Sequence, residues 1–290
     1  NRGAGIVLYS QLDYDEADTS AFFTSFEDKG FNLAQNGGDT NFNNYTYVAW
    51  NWKANGGTTS SNSNGSITST VQANTDAGFS IVTWTGNATL NSSVGHGLNS
   101  APEIYIIKNR DDNSTNWAVP TTVIDGTHDV GYLNLSNGYG AHGVTLPTSS
   151  IVYLSGANNQ NGSGDKMLMY CFHSVEGFSK FATYEGNQDT DGTFVYTGFR
   201  PAWLMIKDAD TSGYNWYMYD NTRLGYNPNS IYSLANGTAA AETNYSGDSV
   251  DFLSNGFKLR TLASGRGTNR SVTYLYLAFA ETPFKFANAR

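Results

Sequence analysis

The side chains of this sequence that are best suited to binding chemistry are aromatic. The chain has 6 Trp, 19 Tyr and 16 Phe, which together make up 14% of its residues. Trp and Tyr rings stack on the apolar face of a sugar ring, while Asn, Asp and Ser side chains hydrogen-bond its hydroxyl groups. Aromatic residues in turn-rich segments are therefore predicted to contact glycans. They are Tyr139 in NGYG, Tyr214 in SGYN, Tyr226 in LGYN and Tyr245 in TNYS.

Acidic side chains offer a different chemistry, because a glycoside hydrolase needs two carboxyl groups that face each other across the glycosidic bond. The candidates are Asp13, Asp15, Glu16, Asp208 and Asp210. Asp residues in turns rich in Asn, Gly and Thr are, however, more typical of side chains that cap their own backbone. The sequence also has no GxSxG elbow, no Walker loop, and no GxGxxG motif between a strand and a helix. We therefore expect a non-enzymatic protein with no catalytic residues.

Calcium is the one metal ion for which the sequence offers ligands. The 4 His residues lack the close spacing that zinc sites use. In NQDTDG, Asp189 and Asp191 supply carboxylate oxygens of the kind that Ca²⁺ takes, although the bidentate Glu of a calcium loop is missing. Calcium stays open as a ligand, and no other cofactor is expected.

Composition and charge exclude several classes of protein. Gly, Asn, Ser and Thr make up about 42% of the chain and only 14% of residues are charged, which indicates many turns and excludes helical bundles. The 16 basic and 25 acidic residues give a net charge of −9 without a basic cluster, so no nucleic-acid partner is expected. No apolar run has the length of a membrane span, and the single Cys171 excludes an internal disulfide.

Two stretches of the chain are similar at a constant offset of 99 residues. GFSIVTWTGN, which begins at residue 78, returns as GFSKFATYEGN at residue 177. The same offset joins Lys108 to Lys207 and Trp117 to Trp216. A fixed spacing over several landmarks is the signature of a repeated structural unit.

Further matching segments extend this similarity to both ends of the chain. SFEDKGFNLA (residues 25–34) matches DFLSNGFKLR (residues 251–260). YVAWNW (residues 47–52), MLMYCF (residues 167–172) and YLAFAE (residues 276–281) are predicted to be three versions of one closing strand. The chain is therefore interpreted as the second half of one module followed by two complete modules.

The fold class follows from a hydrophobic period of two. Short β-branched and aromatic runs are separated by NG, GG, DG and SG pairs. This pattern predicts an all-β protein built from tandem antiparallel β-sandwich modules, jelly-roll-like or lectin-like, of about 100 residues each. The predicted segments are 1–54, the C-terminal half of a preceding module; 55–77, a linker rich in Gly, Ser, Asn and Thr with a leading strand; 78–176, the first complete module; and 177–290, the second.

Aromatic residues that recur at matching places in both modules are predicted to fill a core. They are Trp84 with Tyr184 and Trp117 with Trp216. Residues 55–66 are predicted to be a flexible tract, because small polar residues dominate them.

Several of these strings, taken in order, resemble a repeat module of tail fibres and other structural proteins of marine bacteriophages. They are YVAWNWKA, GFSIVTWTGN, YCFHSVEGFSKF, DGTFVYTGFRPAWLMIK, DFLSNGFKLR and YLAFAETPFKFANAR. In that family the modules occur in tandem, often beside laminin-G-like or concanavalin-like lectin domains, and no catalytic residues are assigned to them. The resemblance covers nearly the whole chain, and it carries over no functional residue.

The resemblance implies a virion-surface or extracellular protein, namely a tail fibre or receptor-binding segment that recognises host cell-surface glycans. It also implies contacts with other virion proteins and, by analogy with phage fibres, a homotrimer. Two alternatives stay open. One is a purely structural subunit of a virion or extracellular filament, in which a neighbouring chain completes the half module. The other is a glycan depolymerase that uses the acidic residues named above.

Overall fold

The structure, a computed structural model, describes residues 4–19, 22–27, 29–34, 40–55, 57–237, 243–244, 247–260 and 267–282. Within these ranges the regular structure is almost entirely antiparallel β, with one helical turn, α1 (Asn158–Asn161). The predicted all-β antiparallel class is therefore confirmed. Among the same residues, no helix has the length and apolar composition of a membrane span.

The strands are short and follow one another closely. In chain order the first are β1 (Ile6–Val7), β2 (Ala17–Asp18), β3 (Phe23–Glu27), β4 (Gly30–Leu33), β5 (Ser60–Asn62), β6 (Ser69–Asn74), β7 (Phe79–Thr85), β8 (Ser92–Gly95), β9 (Ile104–Asn109), β10 (Ala118–Thr121), β11 (Asp129–Tyr132), β12 (Gly140–Ala141) and β13 (Ile151–Leu154). The remainder are β14 (Lys166–Phe172), β15 (Ser179–Glu185), β16 (Phe194–Tyr196), β17 (Pro201–Asp208), β18 (Trp216–Asp220), β19 (Ile231–Leu234), β20 (Thr243–Asn244), β21 (Val250–Leu253), β22 (Gly256–Leu259) and β23 (Thr273–Ala280).

Two large sheets organise the fold. The first has the strand order β12-β11-β10-β9-β14-β7-β6-β5, and the second has the order β15-β23-β17-β18-β19-β20. Smaller sheets are formed by β13 with β8 and by β16-β22-β21. The N-terminal strands form two separate pairs, β1 with β2 and β3 with β4.

Strand β23 shows how the sequence produces layers. Its side chains alternate between two cores, because successive residues of a strand face opposite sides of the sheet. Leu275, Leu277 and Phe279 belong to the core between the two large sheets. Tyr274 and Tyr276 belong to the core on the other face. Since both faces are covered, this central strand is apolar at nearly every position.

A shared core joins the two large sheets face to face. The first sheet contributes Ile104, Trp117 and Phe172 to it, and the second contributes Trp203 and Trp216. The outer face of the first sheet is covered by β8 and β13, and that of the second by β16, β21 and β22. The described chain is therefore a stack of four β layers. The core prediction is confirmed, because Trp84, Trp117, Tyr184 and Trp216 are all buried.

The two large sheets share one order of strands. From β7 the first sheet runs β7-β14-β9-β10-β11-β12, and from β15 the second runs β15-β23-β17-β18-β19-β20. In each series the first strand pairs with a strand that comes late in chain order. In the first sheet β7 pairs with β14, and in the second β15 pairs with β23. A repeated module would produce this order, although the division of the chain at residues 54, 77 and 176 stays a prediction.

In each half of the chain, a pair of asparagine residues makes the same two hydrogen bonds. The Asn161 amide nitrogen donates to the Asn87 side chain at 2.8 Å, and the Asn87 backbone N–H donates back to Asn161 Oδ1 at 3.1 Å. Asn269 and Asn187 make the same two bonds at the same distances. The GN pair at the end of each repeated GFS string is therefore explained as a structural clasp.

The predicted flexible tract contains regular structure. Ser60–Asn62 forms β5 and pairs with β6, so residues 55–66 are in part the edge of the first large sheet. Backbone hydrogen bonds hold an edge strand in place, and they do not require apolar side chains. A strand can therefore form here although the tract lacks apolar residues. Composition alone therefore hides this strand.

The closing-strand prediction holds for two of its three segments. MLMYCF lies in β14, and YLAFA lies in β23. In the structure Phe172 pairs with Ile104 and Phe279 pairs with Trp203, so these two Phe residues are equivalent. The segment that matches MLMYCF is therefore YLYLAF. The prediction is wrong for residues 47–52, which form no strand. A central strand needs a partner on each side, and the described residues next to this segment supply side-chain contacts instead.

A matched pair of buried lysines gives a stability prediction. Lys108 and Lys207 are both fully buried, and burial lowers the pKa of each to about 8. The Lys108 ammonium donates to the backbone oxygens of Thr115 at 2.6 Å and Asp13 at 2.7 Å, whereas Lys207 donates to the Asp208 backbone oxygen at 2.8 Å. We expect Lys108→Met to lower the free energy of unfolding by about 2–4 kcal/mol, because it leaves several buried acceptors unpaired.

Lys207→Met serves as the control. It also removes a fully buried charge but leaves fewer acceptors unpaired. The free energy of unfolding is therefore expected to change by less than about 1 kcal/mol or to increase. Urea titration of the two variants beside the wild type measures the difference. Equal losses would show that the hydrogen bonds of Lys108 contribute nothing beyond burial.

Candidate functional site

The aromatic residues predicted to bind glycans lie in different environments. Tyr226 is 68% exposed. Tyr214 is half-buried, and the Arg270 guanidinium lies 4.2 Å from the centre of its ring. Tyr245 lies outside the described residues. Of these, only Tyr226 presents a largely open ring, so the structure does not bring the predicted group together.

Tyr139 is partly buried, with its hydroxyl closed to solvent. Its ring packs edge-on against Trp216 at 6.2 Å, at the margin of the shared core. Gly131 makes this packing feasible, because a Cβ atom there would lie 2.8 Å from the Tyr139 ring. Burial raises the pKa of the Tyr139 hydroxyl well above its usual value. Its loop docks on the second sheet through the Ala209 backbone oxygen, 2.7 Å from the Tyr139 N–H, so only part of the ring is open and its glycan-binding role stays a prediction.

Three of the five acidic residues considered for hydrolysis, Glu16, Asp208 and Asp210, form structural contacts, whereas Asp13 contributes its backbone oxygen to Lys108 and Asp15 is exposed. Glu16 accepts two hydrogen bonds from Arg110, at 2.7 and 2.8 Å. Buried Asp208 accepts from Arg270 at 2.8 Å, and Asp210 accepts from the Thr273 backbone N–H at 2.8 Å. These carboxylates are committed to holding loops and strands in place.

The calcium candidates lie beside cationic side chains. Asp191 pairs with Lys258 at 2.6 Å and with Arg260 at 3.7 Å. The hydrogen bond and charge of Lys258 lower the pKa of Asp191. Asp189 Oδ1 accepts the Asp191 backbone N–H at 2.9 Å. Two neighbouring cations oppose a bound Ca²⁺ ion, and in the described ranges no cluster of three or more His, Cys, Asp or Glu side chains is arranged to hold a metal.

The histidines take part in internal hydrogen bonding. The ring nitrogens of His142 lie 3.2 Å from His128 Nε2 and 2.8 Å from Gln160 Oε1. His128 is also 2.7 Å from the Tyr105 hydroxyl. His96 is fully buried, with Nδ1 accepting the Leu98 N–H and Nε2 lying 3.1 Å from the Thr148 backbone oxygen. These bonds suit neutral rings.

The neutral histidines predict a pH dependence of stability. Burial lowers the pKa of His96 and His142 to about 4 in the folded chain. In the unfolded chain both rings take up a proton near pH 6.5, so the unfolded state binds more protons between pH 6.5 and pH 4. The free energy of unfolding is therefore expected to fall as the pH drops through this window, by up to about 3 kcal/mol per histidine.

Urea unfolding at pH 7.0, 5.5 and 4.5 measures this effect. The His96→Gln variant is the comparison, because an amide can accept or donate without titrating. Its stability should depend less steeply on pH than that of the wild type. Parallel profiles for the two proteins would contradict the assignment to His96.

An aromatic cleft lies at the margin of the shared core. Residues 49–53 run along the margin of the shared core and, together with the ends of β17 and β23, line a cleft of about 520 Å³. Trp52 packs edge-on against Trp203 at 5.2 Å and against Phe279 at 5.5 Å. Trp50 lies 6.1 Å from Trp203. Ligand sites of small molecules commonly have this size and apolar lining.

Polar groups are placed around these rings. The indole N–H groups of Trp50 and Trp203 are buried and have no hydrogen-bond partner among the described residues. Asn51 and Lys53 lie at the exposed rim, and Asn74 lies opposite them on β6. Buried donors without partners are rare in folded proteins, since each costs free energy. The two indole N–H groups are closed to solvent, so the donors that a sugar ring could reach are those of the polar rim beside the aromatic rings.

The sequence analysis missed Trp50 and Trp52 as site residues, because it assigned their segment to a strand. The available signal was the WNW string: a period of two places both indoles on one side of an extended chain. Trp203 could not have been linked to them, since it lies 151 positions after Trp52 in the sequence.

One family model matches residues 1–283, and its description is a domain of unknown function, DUF7483. The chain belongs to this family. The match begins before β1 and continues past the end of β23, so it spans the first three segments predicted from the sequence and residues 177–283 of the fourth. No curated protein and no solved structure matches the DUF7483 chain.

Proposed function

We propose that this chain is a non-enzymatic receptor-binding segment of a virion surface protein, and that its aromatic cleft binds host cell-surface glycans. The observation that carries the proposal is the cleft itself, in which Trp52 packs edge-on against Trp203 and Phe279 and the exposed amide of Asn51 lies at the rim. Sugar rings need both an aromatic face and directed donors, and the cleft offers both.

Two further observations support this reading. The contacts of Glu16, Asp208 and Asp210 fit a binding protein better than a hydrolase, because a hydrolase keeps its carboxyl groups open to substrate. The shared strand order and the paired Asn clasps fit tandem modules of the phage type. An extracellular location on the virion, a homotrimer and contacts with other virion proteins belong to the same proposal.

The charge of the chain narrows the class of glycan. Its net charge is −9; among the described residues, Lys53 lies at the rim of the cleft, and the Arg223 guanidinium, which is paired with Asp220, lies 5.4 Å from the centre of the Trp50 ring. A strongly anionic polysaccharide would be repelled at low salt, so we favour neutral or singly charged sugars. Binding should then depend little on ionic strength.

A glycan array probed with the full chain tests the proposal. We expect the wild type and Tyr226→Ala to bind the same neutral oligosaccharides, and Trp52→Ala to lose them. Binding that Tyr226→Ala abolishes and Trp52→Ala spares would move the site to the turn after β18. An array on which no glycan is bound would overturn the proposed function.

Assembly of neighbouring chains is a second function that one observation favours. Phe26, on the β3–β4 hairpin, is 68% exposed, although the matching hairpin later in the chain buries its own aromatic residues.

A further inference from the structure

The N-terminal hairpin is built like a second hairpin of the same chain. In β3–β4, Phe26 lies opposite Phe31 and Glu27 lies opposite Gly30. In β21–β22, Phe252 lies opposite Phe257 and Leu253 lies opposite Gly256. The two hairpins therefore share the positions of their paired Phe residues, of the Gly and of the turn.

The surroundings of the two hairpins differ. Phe252 is 3% exposed and Phe257 is fully buried, because β21–β22 covers the outer face of the second large sheet. Phe26 is 68% exposed, and its ring is near that of Phe23, at 6.4 Å, on the hairpin itself. The same apolar pattern is therefore buried in the β21–β22 hairpin and exposed to solvent at Phe26 in the β3–β4 hairpin.

The two hairpins also differ in whether a third strand pairs with them. Strand β16 pairs along the edge of β22, with Val195 opposite Phe257 and Tyr196 opposite Gly256. In the described ranges β3 and β4 form a sheet of only two strands, so the position next to β4 is vacant. An open strand edge with exposed aromatic residues is a template for pairing with another chain.

The outer edge of β16 is a second open edge. It ends the sheet β16-β22-β21, and its Phe194 and Tyr196 are 44% and 65% exposed. The corresponding strand of the first half, β8, is covered on that side: Ile67 forms a parallel bridge with Val94 and donates its N–H to the Ser93 oxygen at 2.9 Å. The described chain therefore has an open edge at β16 that carries exposed aromatic side chains, and an open edge at β4, next to which Phe26 of β3 is exposed.

We propose that these two edges meet between copies of this chain, with β4 of one copy pairing along the outer edge of β16 of a second copy. Within one copy, the β4-like strand β22 has a third strand beside it, formed by the inner edge of β16, and the outer edge of β16 is the one that stays open to β4 of another copy. The contact would join β21-β22-β16 of one copy to β4-β3 of the next in a five-stranded sheet. Backbone hydrogen bonds supply affinity in such strand addition, and alternate side chains supply specificity.

Charges at the two surfaces are compatible with this pairing. The hairpin turn is flanked by Glu27 and Lys29, both exposed. A cleft of about 330 Å³ beside Tyr196 is lined by Glu176 and Lys180, so both surfaces carry acidic and basic side chains. Because the two edges are different surfaces, the contact is heterologous, and its repetition would link copies into a ring or a filament.

Sedimentation velocity of the full chain, from about 1 µM to about 500 µM, tests the proposal. We expect the mean mass of the wild type to rise with concentration. Phe26→Asp and Tyr196→Asp should each weaken association about tenfold or more. Tyr226→Asp, at a residue as exposed as Phe26 but on neither edge, should associate like the wild type. Since all three residues are exposed, unchanged thermal unfolding of the variants verifies that they fold.

A mixing experiment identifies the two edges. Phe26→Asp retains an intact β16 edge, and Tyr196→Asp retains an intact hairpin, so an equimolar mixture should form a 1:1 dimer that neither variant forms alone. A wild type that stays monomeric at the highest concentration would overturn the proposal. Association that Phe26→Asp leaves unchanged, or that Tyr196→Asp leaves unchanged, would overturn it as well.

Discussion

Replacement of Trp216 by alanine is expected to lower the free energy of unfolding by about 3–5 kcal/mol, the range for loss of a large aromatic side chain from a packed core. Trp216 is 1% exposed and belongs to the core that the two large sheets share. Its indole N–H also donates to the Tyr132 backbone oxygen, at 2.9 Å, across the two sheets. The variant therefore leaves both a cavity and an unpaired acceptor.

Leu90→Ala is the matched control for Trp216→Ala, because Leu90 is apolar but 58% exposed. Its expected effect is within about 0.5 kcal/mol of zero. Urea unfolding of both variants, followed by far-UV circular dichroism, measures the difference. If Trp216→Ala were as mild as Leu90→Ala, the two sheets would not depend on a shared core.

Replacement of Trp52 by alanine is expected to reduce glycan affinity about tenfold or more, since stacking of one aromatic ring contributes roughly the corresponding free energy. Trp52 is 37% exposed and its ring lies over Trp203 and Phe279, so its removal opens the cleft without emptying the core. Stability should change by less than about 1 kcal/mol.

Trp52→Phe provides the graded comparison for this prediction. A phenyl ring keeps a stacking face but is smaller, so its affinity should lie between those of the wild type and Trp52→Ala. Fluorescence titration with an oligosaccharide selected on the array measures the series. An affinity that does not follow ring size would contradict stacking at this position.

Much of the fold could be predicted from the sequence because local chemistry decided it. Phe26 and Phe252 each precede a turn followed by Gly-Phe, which is enough to predict the same hairpin twice. Trp117 and Trp216 recur at one offset because both fill the shared core. Side-chain periodicity also placed YLAFA within a buried central strand.

The parts that could not be predicted depend on distant partners. Residues 47–52 have the composition of a strand, but strand formation needs neighbours that the sequence pattern does not specify. Tyr139 is in a typical turn, yet its loop docks on Ala209 and its ring packs against Trp216, which buries the ring in part. The cleft brings Trp52 to Trp203, and such a contact appears only once the two large sheets have stacked.

The central claim is that the cleft formed by Trp50, Trp52 and Trp203 binds a sugar. Isothermal titration of the full chain with an array-selected neutral oligosaccharide, run in parallel on the wild type, Trp52→Ala and Tyr226→Ala, tests it most directly. The expected result is equal affinity for the wild type and Tyr226→Ala and a loss of about tenfold or more for Trp52→Ala. Equal affinity for all three proteins would contradict the claim.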